Sequence, residues 1–428
     1  MAGRSESTVF KEGDGALCVG APVQKVKKGW KWSKLRDLAS MHSGHTPSRR
    51  HPEWWGGDIK WIRVADARPC HGGGIFETGE TINENGLANS AAELLPPGTV
   101  CLSRSASIGY VVILEDEMCT NQGFANWICG EQLIPRFLQF LFLREQKFLD
   151  RIATGTAHRT IYYPDLKAFH ILHPSRQEQE RIVEVLDEAF AAIDKAKANI
   201  ERNLTNAREL FQSHLNEIFS DPPEDWEVNS LGELCDLQNG FAFKSKEYVE
   251  NGVRILRNKN VSIGSLTEAN WVCYPNESMG EYDRFLINEG DFVISMDRPI
   301  ISDGFKFFWF SELTEPLLLN QRVLRIKPKS DIGDVLNLFF QSDFFASQIS
   351  PGKSIGVPHI SMSDVAKVTI AIPCHESGFE VTKRLSSLQV ECNQIQENLL
   401  IALDNLEELR QSILEQAFEG KLTEPVAA

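Results

Sequence analysis

The stretch WKWSKLRDLASMHSG (30–44) recurs in altered form as WEVNSLGELCDLQNG (226–240). Six positions keep the same residue or the same residue class at a constant separation of 196 residues. The matched pairs are Trp30 and Trp226, Leu35 and Leu231, Asp37 and Glu233, Leu38 and Leu234, Met41 and Leu237, and Gly44 and Gly240. Solenoid repeats run roughly 20–50 residues, so a repeat of this length predicts two copies of a whole domain.

Further blocks of sequence repeat in the same order along the chain. They are 59–63 with 253–257, 97–103 with 289–295, 121–122 with 320–321, 165–174 with 364–373, and 209–219 with 408–418. Six matching blocks in one order are hard to obtain by chance. We therefore interpret the chain as an internal duplication.

Both copies share one internal plan. Short runs of β-forming residues, such as Val100-Cys-Leu-Ser103 and Phe292-Val-Ile-Ser295, are separated by Gly, Pro and Asn. A long helix closes each copy, over about 177–220 and 378–418. The predicted fold class is α+β, with two duplicated mixed α/β domains joined by two long antiparallel coiled-coil helices.

The predicted segments follow from these boundaries. They are a flexible N-terminal extension (1–29), a first domain (30–175), a central helix (176–220), a second domain (221–376), a C-terminal helix (377–420) and a tail (421–428).

The apolar pattern of the long helices predicts that they pair with each other. From Val381 to Ile413 the second helix places apolar residues in alternating steps of four and three, the spacing of a coiled-coil seam. The first helix follows this rhythm less strictly, at Ile182, Val185, Ala189, Ile193, Ala196, Ile200, Asn203, Ala207, Leu210, His214 and Ile218. Antiparallel pairing would give the chain pseudo-twofold symmetry. The alternative is two separate amphipathic helices, each packed on its own domain.

Composition narrows the class of protein. The 428 residues exceed the ~150 residues of a typical domain, which suggests two or three domains. With 42% hydrophobic residues and no apolar run near the ~18 residues that span a bilayer, a disordered chain and a membrane protein are both excluded. Nine cysteines without a C-x-x-C pair argue against a zinc ribbon or a disulfide framework. We expect reduced thiols in a cytoplasmic protein.

The charge balance bears on nucleic-acid binding. A formal net charge of −15 disfavours sequence-independent binding to phosphates. Any DNA-binding surface must therefore be local, or shared with a partner.

Sequence motifs for catalysis are missing or incomplete. Asp221-Pro-Pro-Glu224 lacks the aromatic residue with which a similar methyltransferase motif stacks on a flipped base, so we interpret it as a linker. Pro164-Asp165 with Lys167 resembles a nuclease signature only faintly, because Asp364 in the second copy follows a serine. The sequence contains no phosphate-binding loop and no paired-histidine motif. We expect no catalytic residue, no cofactor and no metal site.

Side chains that can contact DNA occur at matching positions of the two copies. Arginine can donate two hydrogen bonds to guanine, and Asn or Gln can pair with adenine, in the major groove. Domains with different specificities should differ at their contacts, so the repeated Asn121-Gln122 and Asn320-Gln321 are interpreted as structural. For each candidate taken singly, the alternative is a solvated surface residue or a loop cap. The predicted DNA-binding residues are Arg49, Arg50, Arg63, Arg68, Arg104, Arg159, Tyr162, Lys244, Arg257, Lys259, Arg298, Lys353 and His359.

Longer motifs point to a known family. They are Trp32 with Leu35-Arg-Asp-Leu38, Gly44-His-Thr-Pro47, Trp55-Gly-Gly-Asp-Ile-Lys-Trp-Ile62 with Asp66, Leu231-Gly-Glu-Leu234, and Asn239-Gly-Phe-Ala-Phe-Lys-Ser245. Together with the duplication and the long helices, these motifs resemble the DNA specificity subunit of type I restriction-modification systems. The resemblance covers nearly the whole chain from Trp30 onward.

The resemblance implies a non-catalytic subunit whose two target-recognition domains each read one half of a bipartite, asymmetric double-stranded DNA target. The long helices would set the spacer and dock two modification (methyltransferase) subunits, which bind S-adenosylmethionine and methylate adenine. Restriction subunits, the ATP-dependent translocase and nuclease, could join the complex. The alternatives are a coiled-coil scaffold without sequence-specific DNA contacts, and an enzyme, which the missing motifs disfavour.

Overall fold

The computed structural model describes residues 10–13, 15–22, 26–155, 158–301, 304–349 and 358–422. They divide into two units, which we call unit 1 (Met1–Ala198 with Leu403–Ala428) and unit 2 (Asn199–Ala402). Both units mix short strands with helices, so the fold class is α+β.

The strands of unit 1 are β1 (Leu17–Val19), β2 (Lys31–Lys34), β3 (Ala39–Ser43), β4 (Trp55–Ile62), β5 (Gly74–Ile75), β6 (Thr81–Ile82), β7 (Val100–Ser103), β8 (Val111–Leu114), β9 (Met118–Thr120), β10 (Phe124–Cys129) and β11 (Phe169–His173). Its helices are α1 (Leu35–Leu38), α2 (Val64–Ala67), α3 (Glu84–Ala88), α4 (Pro135–Arg144), α5 (Gln146–Ile152), α6 (Tyr163–Lys167), the first part of α7 (Arg176–Ser220) and the last part of α13 (Glu376–Phe418).

The strands of unit 2 are β12 (Trp226–Ser230), β13 (Cys235–Asn239), β14 (Val253–Leu256), β15 (Cys273–Tyr274), β16 (Phe292–Ser295), β17 (Ile300–Ile301), β18 (Gly304–Phe305), β19 (Phe307–Trp309), β20 (Leu317–Leu319), β21 (Val323–Pro328) and β22 (Thr369–Pro373). Its helices are the last part of α7, α8 (Leu231–Leu234), α9 (Met279–Tyr282), α10 (Gly333–Gln341), α11 (Asp343–Gln348), α12 (Met362–Ala366) and the first part of α13 (Glu376–Phe418).

Strand order repeats between the units. In unit 1 the sheet runs β3-β10-β7-β8-β5, and in unit 2 the corresponding sheet runs β13-β21-β16-β19. A second sheet places β4 between antiparallel β6 and parallel β9, as β14 lies between antiparallel β15 and parallel β20. The internal duplication inferred from the sequence is confirmed at the level of sheet topology.

The strand β1 corrects one expectation. Leu17 pairs antiparallel with Ile171, and the side chains of Leu17 and Val19 are fully buried. The predicted flexible extension over 1–29 is therefore wrong for this strand. Two aliphatic side chains leave water and an open sheet edge gains main-chain hydrogen bonds, which together offset the lost chain entropy.

A buried carboxylate anchors β1. The Ala16 N–H donates to Glu145 Oε1 at 2.7 Å, and the Glu145 side chain has no exposed surface. In unit 2 the matched residue is Ser342, which instead caps α11 by accepting the Phe345 N–H at 3.1 Å. The extra strand thus depends on a residue that only unit 1 carries.

The long helices lie where the apolar pattern predicts them, and in unit 1 they pack against each other. Arg410 of α13 forms an ion pair with Asp194 of α7 at 2.8 Å, and its Cζ lies 4.2 Å from the Phe190 ring centroid. Lys197, further along α7, lines a cavity with Glu407, which comes earlier on α13. The two helices therefore run antiparallel within this unit.

The predicted seam is wrong at several positions. Val185 and Leu210 are 37% and 59% exposed, and Ile395 of α13 is 49% exposed. Of the predicted seam positions on α7, Ile182 and Ile193 are buried, and the other buried apolar residues of this helix lie off the predicted seam, at Leu186, Phe190, Leu215 and Phe219. The physical reason is that the ends of α7 pack on the domain of their own unit, as when Phe190 meets Phe140 at 5.4 Å. A 3.6-residue stripe facing a domain replaces the coiled-coil spacing there.

Across the residues that the structure describes, no helix has the length together with the apolar character needed to cross a bilayer.

The packing of β1 yields a stability prediction. Leu17→Ala should lower the free energy of unfolding by about 2–4 kcal/mol, because it leaves a cavity in the core of unit 1. Val228→Ala is the control, since Val228 lies in a strand but is 64% exposed, and it should change stability by less than about 0.5 kcal/mol. Urea denaturation followed by fluorescence measures both. An unchanged midpoint for Leu17→Ala would contradict the assignment of β1 to the core.

Candidate nucleic-acid interface

Three main-chain hydrogen bonds join separate loops of unit 1. The Ile161 N–H donates to the Arg104 carbonyl at 2.8 Å, and the Arg104 N–H donates to the Gly123 carbonyl at 2.7 Å. The Ala106 N–H donates to the Arg159 carbonyl at 3.1 Å. Because Ile161 is fully buried, these loops are anchored in the core. We call this arrangement the loop junction of unit 1.

Unit 2 repeats the loop junction at matched positions. The Ile360 N–H donates to the Met296 carbonyl at 3.0 Å, and the Met296 N–H donates to the Arg322 carbonyl at 2.9 Å. The Arg298 N–H donates to the Pro358 carbonyl at 2.8 Å. Ile360 is again fully buried. The junction is made by main-chain atoms, so the two units hold different side chains on one frame.

Two matched glycines explain why the loops can approach so closely. A Cβ on Gly44 would lie 1.9 Å from the Asn121 carbonyl oxygen, and one on Gly240 would lie 2.1 Å from the Asn320 carbonyl oxygen. The Asn121 side chain turns inward, with Oδ1 accepting the Gly123 N–H at 2.9 Å. These contacts support a structural interpretation of the repeated Asn-Gln pairs.

The loop junction of unit 1 carries arginines and tyrosines. The Arg104 guanidinium lies over the Tyr163 ring, with Cζ 4.2 Å from the centroid. Arg159 is exposed and pairs with Asp150 at 2.6 Å. Tyr162 is 55% exposed. A planar cation and an exposed aromatic ring can both contact bases or phosphates.

The loop junction of unit 2 carries a different set. His359 Nδ1 lies 2.8 Å from Asp297 Oδ1, where unit 1 has Thr160 and Ser105. Arg298 is exposed beside them. Arg104 and Arg159 of unit 1 and Arg298 of unit 2, all predicted to bind DNA, thus take part in the matched main-chain hydrogen bonds. His359, which was also predicted to bind DNA, lies beside them.

Two other residues that were predicted to bind DNA form ion pairs with carboxylates of their own unit. Arg63 donates from Nη2 to Asp66 Oδ1 at 3.0 Å and from Nη1 to Glu80 Oε1 at 2.9 Å. Arg49 donates to Glu80 Oε2 at 2.5 Å, and its Cζ lies 3.6 Å from the Trp55 ring centroid. The structure therefore brings Arg49 and Arg63 together in one cluster whose charges are largely neutralised.

Titration within this cluster follows from its geometry. Burial raises the pKa of the Asp66 carboxyl, but hydrogen bonds from the Arg63 side chain and main chain outweigh burial and hold that pKa below its usual range. The same hydrogen bond from Arg63 to Asp66 raises the pKa of the guanidinium. The pair is ionised at neutral pH and ties α2 to the loop that precedes it.

Arg257 of unit 2 lies at the position matched to Arg63. Its main-chain N–H donates to Asn260 Oδ1 at 3.2 Å, as the Arg63 N–H donates to Asp66, and its guanidinium donates to the Asn270 carbonyl. This repeated cap indicates a structural role at both positions.

The remaining predicted residues are less constrained. Arg50, Arg68, Lys244 and Lys259 are exposed. Lys244 lies 3.9 Å from Glu247, a long ion pair. Lys353 lies outside the residues that the structure describes.

Sequence reasoning missed two charged residues of the unit 2 junction, Asp297 and Arg322. A usable signal existed for Arg322, because it directly follows the repeated Asn320-Gln321, where the first copy has Gly123. A divergent charged residue beside a repeated motif marks a position where the two units differ.

The described part of the chain offers little for metal binding. Within it, no three His, Cys, Asp or Glu side chains converge as a metal site requires. Burial raises the pKa of the Cys18 and Cys119 thiols to about 12. Such thiols stay protonated at neutral pH and are poor ligands and nucleophiles.

Comparisons with known proteins follow the duplication. Residues 27–204 and 223–405 each match the family described as "Type I restriction modification DNA specificity domain". The chain is 26% identical over 399 residues to the type I restriction enzyme MjaIX specificity subunit of Methanocaldococcus jannaschii, covering 86% of each chain.

Two solved structures share the fold. A chain from work on complex assembly and conformational transition of the type I restriction-modification system superposes with a TM-score of 0.73 at 18% identity, over 93% of this chain and 100% of that chain. The HsdS subunit from Thermoanaerobacter tengcongensis superposes with a TM-score of 0.56 at 17% identity, over 93% and 99%.

The Arg63–Asp66 pair generates a pH prediction. Because the folded-state pKa of Asp66 is lowered, its stabilisation is present above the ordinary aspartate pKa of about 3.9 and is lost as the pH falls through the folded value. Above pH ~5 we expect Asp66→Asn to be less stable by about 1 kcal/mol, a modest value because Arg63 is partly solvated. The difference should shrink below pH ~4. Urea unfolding at several pH values tests this, and a difference that grows in acid would contradict it.

Proposed function

The chain belongs to the type I restriction-modification DNA specificity family, and we propose that it directs adenine methylation to a bipartite DNA target. Specificity subunits are the non-catalytic recognition component of these systems. In this proposal unit 1 reads one half of the target and unit 2 reads the other.

The observation that carries this proposal is the repeated loop junction. The same three main-chain hydrogen bonds occur in both units, while the side chains beside them differ. Unit 1 has Ala106 and Gly123 where unit 2 has Arg298 and Arg322. A scaffold has no need to vary charge at one fixed position, whereas two readers of different base pairs do.

The DNA-contacting residues are proposed from their place at the loop junctions or from their exposure. Arg49, Arg63 and Arg257 are proposed to position loops, because they are engaged within their own unit. The proposed contacts of the remaining set are Arg50, Arg68, Arg104, Arg159 and Tyr162 in unit 1, and Lys244, Lys259, Arg298 and His359 in unit 2. Lys353, which lies outside the described residues, remains a DNA-binding residue predicted from the sequence alone.

The partners proposed are DNA, two modification subunits that bind S-adenosylmethionine, and restriction subunits that use ATP. The formal net charge of −15 means that this chain alone attracts DNA poorly. Modification subunits that contribute phosphate contacts would resolve this, because phosphate contacts supply most of the sequence-independent affinity.

Exposed aliphatic residues on α13 support a docking surface for the modification subunits. Val390, Ile395, Leu400 and Ile401 are 68%, 49%, 51% and 57% exposed. Removing such side chains from water gains about 25 cal/mol per Å². Val390 and Ile401 are eleven residues, or about three turns, apart and lie on the same side of α13, where their exposed apolar side chains suit contact with a protein partner.

The length of α7 suits a spacer between half-sites. Its 45 residues span ~68 Å at 1.5 Å per residue. This is about two turns of B-DNA at ~34 Å each, which is the scale of a gap between two half-sites read on one face of the duplex.

The test of the proposed function is a methylome. The chain is co-expressed with its candidate modification subunit in a methylation-free host, and modified adenines are mapped genome-wide. We expect two defined half-sites around a fixed gap. Replacing residues 30–175 with the corresponding domain of another family member should change one half-site only. A stable complex that methylates no motif and does not bind DNA would favour the scaffold.

The docking surface has its own test. Ile401→Asp should weaken the complex with the modification subunit at least tenfold, because it places a charge in an apolar interface. Glu397→Asp, on the same stretch of α13 and exposed, is the control and should leave affinity unchanged. Affinity is measured by titration calorimetry, with circular dichroism confirming folding. Equal affinity for both variants would exclude this surface.

A further inference from the structure

Arg322 holds a main-chain conformation that arginine rarely adopts. Its φ is +72°, in the left-handed region, where a Cβ is strained against the main chain. Gly123 occupies the matched position of unit 1. Strain of this kind persists only where surrounding structure determines it, and such residues concentrate at functional sites.

The surroundings of Arg322 impose this conformation. Its carbonyl accepts the Met296 N–H at 2.9 Å within the loop junction. The next residue, Val323, is the first of β21 and pairs with Ser295 of β16. The preceding Gln321 N–H donates to the Phe241 carbonyl at 2.8 Å. Main-chain bonds on both sides therefore fix where the Arg322 side chain leaves the frame.

The guanidinium of Arg322 is held loosely at one nitrogen. Nη1 lies 3.5 Å from His359 Nδ1 and 3.8 Å from Asp297 Oδ1. Within the described ranges Nε and Nη2 have no hydrogen-bond partner, and the side chain is 54% exposed. Two adjacent nitrogens with free N–H groups form the donor fork that binds a planar acceptor pair.

Asp297 is held by hydrogen bonds of its own and lies nearer to His359 than to Arg322. Its N–H donates to Asn258 Oδ1 at 3.3 Å, and its carbonyl accepts the Asn258 Nδ2–H at 3.0 Å and the Ser295 hydroxyl at 2.9 Å. Its carboxylate is taken by His359 at 2.8 Å. The nearer partner of Asp297 is therefore His359, and Arg322 retains most of its hydrogen-bonding capacity.

The cluster is also locally basic in an acidic chain. Arg298, Lys306 and Arg322 lie around the carboxylate of Asp297. The matched positions of unit 1 are Ala106, Tyr110, Gly123 and Ser105, which carry no charge at neutral pH. Unit 2 therefore carries positive charge at these positions, whereas the arginines of the unit 1 junction, Arg104 and Arg159, stand at two others.

We propose that Arg322 reads a guanine in the half-site of unit 2, donating from its free nitrogens to O6 and N7 in the major groove. This inference rests on the proposed function and adds one specificity-determining residue to it. A bidentate arginine–guanine contact is the commonest specific contact between protein and DNA. A phosphate can also accept two hydrogen bonds from this fork, but such a contact carries no sequence information, so loss of discrimination at one base separates the two.

Two substitutions separate base reading from charge and from folding. Arg322→Lys keeps the charge but loses the fork. Arg322→Gly introduces the residue of unit 1 and relieves the left-handed strain. Arg284→Lys is the matched control, because Arg284 is an exposed arginine of the same unit. Each full-length variant is co-expressed with the modification subunit, and its methylome and thermal unfolding are measured.

For both Arg322 variants we expect one guanine position in one half-site to lose roughly ten- to hundredfold discrimination, with the other half-site and the gap unchanged. Arg322→Gly should unfold at the wild-type temperature or above it, whereas a purely structural arginine would lower it when removed. Arg284→Lys should leave the motif intact.

Other outcomes overturn the inference. A uniform loss of methylation over an unchanged motif, rescued by Arg322→Lys, would assign Arg322 to a phosphate. A lower unfolding temperature with loss of the complex would make it structural. A bipartite wild-type motif that neither substitution alters contradicts this inference alone. A wild-type complex without any bipartite motif contradicts the proposed function, and the inference with it.

Discussion

The main-chain hydrogen bonds of the loop junction hold the loops of both units in the same arrangement, and the rest of each proposed DNA-binding surface depends on them. Ile161 in unit 1 and Ile360 in unit 2 are buried, and each donates its N–H to the loop that follows a central strand. Main-chain groups are present whatever the side chain, so these bonds keep their geometry when the residues change. Side chains can therefore diverge between the copies while the loops stay in place.

Side chains that differ between the units on the same main-chain arrangement connect this fold to its proposed role in DNA recognition. A protein that reads DNA sequence must hold a few side chains rigidly, because a hydrogen bond to a base edge requires a donor–acceptor distance of about 2.7–3.2 Å and good alignment. Glycines at 44 and 240 allow loop and strand to approach closely enough for this. The left-handed main chain at Arg298 repeats at the matched Ala106 of unit 1, whereas Arg322 adopts it where the matched Gly123 does not, which indicates an additional local requirement in unit 2.

The two units also differ at the edge of their small sheets. Unit 1 adds β1 to its small sheet and anchors it with the buried Glu145, whereas the matched Ser342 of unit 2 caps its own helix. The Arg63–Asp66 and Arg257–Asn260 contacts repeat as caps, although one is an ion pair and the other is neutral. Such differences alter stability and pH response in one unit without changing the fold.

The sequence by itself determined the duplication, the long helices and the main strands, because these depend on local periodicity and on repeated turn residues. It also indicated that the repeated Asn-Gln pairs are structural, whereas the arginines that differ between the copies are candidates for DNA contact. Tertiary structure alone decided which face of α7 is buried, since Phe190 and Leu186 pack on a domain distant in sequence. It likewise decided that Arg63 meets Glu80 and that Arg322 stands beside Asp297 and His359. Those contacts join residues brought together by sheet pairing, and no local pattern of residue types records which loops a sheet will place side by side.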